Sequence, residues 1–169
     1  MGDSSSSERD AASVSEGHAL PGNHSLIRAH LAIGWVSLVA FVTMGILLEY
    51  MHGFRVPSYM NVGEAEIRRQ MWTLAHAHGV LISLVHIAFA ATLYITTSRR
   101  QRGYSVASAC LTAAGILMPL GFFLGGVYVY PGDPGMGIFL VPPGAILLLA
   151  AVSLVAIGVT RESRQAAEG

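Results

Sequence analysis

Lysine is missing from this chain altogether, cysteine occurs once, and charge of either sign is scarce. All ten basic residues are arginine and they balance ten acids, so Asp, Glu, Lys and Arg make up only 12% of 169 residues, against about 25% in an average globular domain. Zero net charge gives nucleic acid no electrostatic reason to bind. The single Cys110, set in an apolar stretch, excludes a disulfide framework, a thiolate zinc site and covalent haem attachment through a cysteine pair. A Gly-rich phosphate loop, a serine nucleophile elbow and a HExxH zinc motif are also absent from the sequence.

What fills the chain instead is apolar: 53% of residues are hydrophobic and the mean hydropathy is +0.54. Four runs are long enough to cross a hydrocarbon core, which takes about 20 helical residues. They cover about 26–48, 71–97, 106–130 and 138–160. Backbone groups in lipid must be satisfied within the segment, so such runs are read as helices. The expected fold is an all-α integral membrane four-helix bundle over 26–160, with a polar, disordered tail over 1–25 and a short C-terminal tail over 161–169. The leading SSSSERDAASVSEG is weakly acidic, which argues against a cleavable signal peptide. The first run is therefore expected to remain as an anchor.

Arginine placement sets the expected orientation. The N-terminal tail, the second loop and the C-terminal tail carry Arg9, Arg28, Arg99, Arg100, Arg102, Arg161 and Arg164, whereas the other two loops carry only Arg55, Arg68 and Arg69. Both termini are expected in the cytoplasm, with the protein in the inner (plasma) membrane and the loop after the first run facing out.

That first loop is more than a linker. A Pro57 turn is followed by Asn61 three residues before Glu64, a variant capping box. The spacings Glu64–Arg68 and Glu66–Arg69 suit ion pairs on one helix face. An amphipathic helix is expected to start near Val62 and run into the second span, with Trp72 and Tyr59 at the interface. Further along, the Gly121–Gly125 pair suits close helix approach within the chain, Pro119 suits a kink, and Asp133 reads as a turn residue.

The second run, 71–97, has no Asp, Glu, Lys or Arg, yet it holds His76, His78 and His86. Imidazoles inside hydrocarbon are uncommon and point to a site or to a buried polar contact. His76 and His78 lie one or two turns below the outer surface, level with Glu49 and His52 at the end of the first run. A cluster of Glu49, His52 and His76 or His78 is the candidate site for haem b or a transition-metal ion. At about 100° per residue His76 and His78 point to opposed sides of the helix. Trp72, His76, Gly79, Ser83, His86 and Ala90 repeat as a heptad-like seam of small and polar residues. His86, near the midplane, is open to two readings: a packing hydrogen bond or a proton-titrating group. Measured from the inner ends of the runs, His30 and His86 differ in depth by about 12 Å at 1.5 Å per residue, which argues against the two sharing a haem.

The stretches Glu49-Tyr-Met-His52-Gly53-Phe54-Arg55 and Trp72-Thr-Leu-Ala-His76-Ala-His78-Gly79 resemble a group of small uncharacterised bacterial four-span membrane proteins, a likeness covering about 49–89 that implies the fold and no activity. His-x-His-Gly near a helix start is more loosely similar to ligand-bearing helices of haem–copper oxidase-like proteins, whose other ligand helices have no counterpart here. An Ala-His pair in a short apolar chain is also shared with hydroxylaminobenzene mutase.

Three functions follow as expectations. The first is an accessory or assembly subunit in the lipid bilayer, working with other membrane subunits or copies of itself, whose outer histidines bind haem or a metal ion. The second is a small redox or isomerase enzyme using the same cluster, and the third a proton-coupled carrier. Nucleic acid is not expected as a partner.

Overall fold

Residues 21–60, 64–96 and 101–168 are described by the structure, a computed structural model. Most of the expected N-terminal tail, the Asn61 cap, Val62, Arg99 and Arg100 lie outside the described residues. Five helices account for nearly all of the rest.

Helix α1, Pro21–Gly53, opens on proline, whose fixed φ and missing N–H cost nothing in a first turn. It therefore starts inside the stretch assigned to the tail. It ends in a Schellman motif: the Val56 N–H donates to the Met51 carbonyl at 3.0 Å and the Arg55 N–H to that of His52 at 3.1 Å. Arg55 takes the left-handed position with φ 51°, a place usually held by glycine. The short α2, Pro57–Met60, buries Tyr59, so this tyrosine plugs the loop against the bundle. Helix α3, Glu64–Ile95, then runs without a break through the second span.

Helix α4, Gln101–Val127, continues through Pro119. After it Pro131-Gly132 makes a tight turn, with paired backbone bonds between Tyr130 and Asp133 at 3.0 and 3.1 Å and Gly132 at φ 91°. A 3-10 turn, Met136–Leu140, leads into α5, Val141–Glu168. Pro142 and Pro143 sit in the first turn of α5, where no intrahelical donor is lost.

Four of these helices, taking the 3-10 turn together with α5, are long and apolar enough to cross a membrane. The protein is a multi-pass four-helix membrane bundle. Packing follows chain order: α1 lies on α3, α3 on α4 and α4 on α5, while α1 and α5 share no substantial contact among the described residues. The flanking helices therefore present apolar faces outward, through Val36, Val39 and Ile46 on α1 and Ile146 and Leu149 on α5. Against lipid tails such exposure carries no hydrophobic penalty.

Small residues set the helix spacing. A Cβ on Gly34 would come within 2.6 Å of Ile87 and 3.0 Å of the Ser83 carbonyl, so α1 and α3 touch nearly backbone to backbone there. Gly121 and Gly125 receive the 3-10 turn and the start of α5 in the same way, and the Gly135 N–H donates to the Gly125 carbonyl at 2.8 Å. That small-residue pair is thus used within the chain.

Candidate functional site

The middle of the seam along α3, from His76 to His86, faces α1. Phe41 packs over Gly79, Ser37 and Ser83 hydroxyls meet at 2.8 Å, and His76 stacks over Gly45. At Gly45 a side chain would reach 2.8 Å from Nδ1 and Nε2 of the imidazole, so glycine is what admits the ring. The His76 Nδ1–H donates to the Phe41 carbonyl at 2.7 Å. A carbonyl can only accept, so this bond fixes the tautomer and leaves the lone pair on Nε2.

His78, two residues on, is turned toward α4. Its Nδ1–H donates to the Leu74 carbonyl of its own helix at 2.9 Å, and its ring lies against Phe122 with centroids 4.8 Å apart. The two histidines are therefore committed to different neighbours.

Between the C-terminal end of α1 and the N-terminal end of α3 lies an open cleft of about 950 Å³. Val42, Gly45, Ile46, Leu48, Glu49 and His52 of α1, Tyr59 of α2, and Glu66, Arg69, Gln70, Thr73, Leu74 and His76 of α3 line it. Of the residues singled out in the sequence, the cleft gathers Glu49, His52 and His76 and leaves His78 and His86 outside. Glu66, Arg69 and Thr73 were not picked out as site residues. The signal was present, because 66, 69, 73 and 76 recur at three and four residues and so share one helix face. Glu49, His52, Glu66 and Arg69 form no hydrogen bond or ion pair among the described residues, the expected Glu66–Arg69 pair included.

No three His, Cys, Asp or Glu side chains converge closely enough to hold a metal ion among the described residues. Glu49, His52 and His76 share a cleft without forming a ready coordination sphere.

Deeper in the bundle, the structure brings together two histidines that depth counting had separated. His30 and His86 are 1% and 2% exposed, with their Nδ1 atoms 2.7 Å apart and rings stacked at 4.8 Å. The His30 Nε2 lies 2.7 Å from the Ser108 hydroxyl of α4, and Phe89 meets the His30 ring edge-on at 4.6 Å. The error in the count has a simple origin. Hydropathy places the inner end of the span about three residues before His30, but α1 extends back to Pro21, so each histidine is nine residues from its helix end, about 14 Å at 1.5 Å per residue. Even so, the pair does not fit an iron between its rings. Two imidazole nitrogens on opposite sides of a metal stand about 4 Å apart, twice a metal–nitrogen bond of about 2 Å, with the porphyrin between them. A 2.7 Å contact is a hydrogen bond.

Compared with protein-family models, curated proteins and solved structures, the chain matches none.

Proposed function

We propose that the chain is an accessory membrane subunit that binds a small amphipathic molecule in the cleft between α1 and α3. One observation carries this reading: Glu49, His52, Glu66 and Arg69 meet in a concave site, and none of them forms a hydrogen bond or ion pair among the described residues. Concave sites with a few convergent polar groups on apolar walls are the usual form of a ligand site. Here acceptors (Glu49, Glu66, the His76 Nε2) face a strong donor (Arg69), while Val42, Ile46 and Leu74 supply the apolar wall toward the membrane. A ligand with a polar head and an apolar body satisfies both halves.

A metal ion or haem iron is the second occupant to consider, for a specific reason. Donation of a ring N–H to a backbone carbonyl, as His76 does to Phe41, is the outer-shell arrangement found around metal-bound imidazoles. His52, Glu49 and Glu66 are the other side chains of ligand type in that cleft.

The test is purification from the native host in mild detergent, followed by mass spectrometry of extracted small molecules, metal analysis and a visible spectrum. A bound compound is expected, lost in His76→Ala and in Glu49→Gln but retained in His78→Ala, whose ring faces Phe122. Recovery of an empty protein, or loss in His78→Ala alone, would count against the cleft. An organic molecule without metal favours the first occupant, and stoichiometric iron or another transition metal favours the second.

A further inference from the structure

We propose that Ser108, His30 and His86 form a proton-transfer site in the membrane interior, bridging α4, α1 and α3. The argument begins with the 2.7 Å contact between the two Nδ1 atoms. Two N–H groups facing each other there would clash, and two lone pairs would repel, so the contact holds one proton. For neutral rings that leaves two arrangements. In one, the His30 Nδ1–H donates to His86, the His30 Nε2 accepts from the Ser108 hydroxyl, and His86 carries its proton on Nε2. In the other, the His86 Nδ1–H donates to His30, and the His30 Nε2–H donates to Ser108, whose oxygen also accepts. Both fit the same heavy-atom positions, including the 2.7 Å Ser108–His30 contact.

Interconversion moves one proton across the three residues, and it balances. A hydronium ion beside Ser108 gives the hydroxyl oxygen a proton and becomes water, while the serine passes its own proton to the His30 Nε2. The His30 Nδ1 proton crosses to the His86 Nδ1, and the His86 Nε2 proton leaves to a water, which becomes hydronium. Every ring remains neutral at the end, and the reverse sequence carries a proton the other way. The His86 Nε2 faces Gly115 of α4, where a Cβ would stand only 3.1 Å away. Glycine there keeps the outgoing nitrogen uncovered by a side chain.

The surroundings favour transfer over trapping. The polar partners of the two rings are each other and the Ser108 hydroxyl, and no Asp, Glu, Lys or Arg bonds to either ring among the described residues. Tyr104 of α4 is the nearest other titratable ring in the chain of aromatic contacts, beyond Phe89 with centroids 6.4 Å apart. No fixed charge therefore biases one arrangement strongly over the other.

Nitrogen-15 NMR of the full chain, histidine-labelled and reconstituted in lipid bilayers, separates transfer from static packing. A moving proton gives His30 and His86 exchange-averaged Nδ1 shifts, between those of protonated and bare ring nitrogens. His86→Gln should return His30 to a single fixed tautomer, and Ser108→Ala should freeze the wild-type exchange while leaving both rings in place. Two sharp, unaveraged Nδ1 signals in the wild type, one protonated and one bare, would overturn the proposal and leave the pair as a packing contact. Averaging that persists unchanged in Ser108→Ala would overturn the role of the serine.

Discussion

The Arg68 guanidinium donates its Nε–H to the Gly126 carbonyl at 3.1 Å. The same side chain reaches the Ser58 carbonyl at 3.3 Å through Nη1 and lies 6.0 Å from the centre of the Trp72 ring. One residue near the start of α3 thereby ties the first loop to the C-terminal end of α4. The Glu64 side chain, the partner the sequence suggested for Arg68, lies outside the described residues, and the bonds the structure gives Arg68 go to two carbonyls from distant segments.

Removing this tie is expected to loosen both segments. Arg68→Ala should lower stability by about 1–2 kcal/mol, at the lower end of the range for hydrogen bonds from charged groups because the site is only part-buried. Arg68→Lys should recover less than half of that, since a point ammonium cannot reproduce a planar fork spanning two carbonyls. Thermal unfolding in detergent measures both, and full recovery by lysine would show that charge alone matters.

Gly126 has a second duty. A Cβ there would stand 2.6 Å from the Trp72 ring, displacing an indole that donates to the Phe123 carbonyl at 3.2 Å and stacks on the Phe123 ring. Gly126→Ala should therefore cost about 1–3 kcal/mol, as overpacking does, and should shift Trp72 fluorescence in a Trp35→Phe background. Gly53→Ala is the contrasting substitution, because nothing lies within 4 Å of a Cβ there. Equal effects at the two positions would refute the steric account.

Arg55 holds a left-handed backbone at φ 51°, which is unfavourable for any residue with a Cβ. Arg55→Gly is expected to raise stability by about 0.5–1 kcal/mol, once the greater freedom of glycine in the unfolded chain is set against the relieved strain. A loss of stability would mean that the arginine side chain makes contacts that outweigh the strain.

The arginine distribution predicts which side of the membrane each loop occupies. A cysteine introduced at Ser58, in a Cys110→Ala background, should react with an impermeant maleimide added outside intact cells. One at Ser163 should react only after the cells are opened. The reverse pattern would invert the orientation and place the cleft on the cytoplasmic side.

The sequence showed the elements and the faces of the helices more clearly than the pairings between them. Run length and the scarcity of charge were enough for four spans, because in lipid a long apolar segment has few alternatives to a helix. The 3.6-residue period put His76 and His78 on opposed sides, and in the folded chain the first bonds to α1 while the second faces Phe122 of α4. Likewise, the small and polar residues at 76, 79, 83 and 86 form one stripe in the sequence, and the structure lays that stripe on α1.

What the sequence alone determined, then, was local: how many apolar spans there are, how the residues divide among their faces, and that polar groups lie in the spans. Which residues meet across helices was decided only in three dimensions. Register between α1 and α3 depends on where Gly34 and Gly45 let the backbones approach, and hydropathy carries no information about that. A helix also continues past the edge of an apolar run, so counting from that edge rather than from Pro21 misplaced His30 by several residues. Interhelical packing, acting over positions 56 residues apart in sequence, set His30 against His86, and it opened the cleft around Glu49, His52 and His76 while closing it to His78.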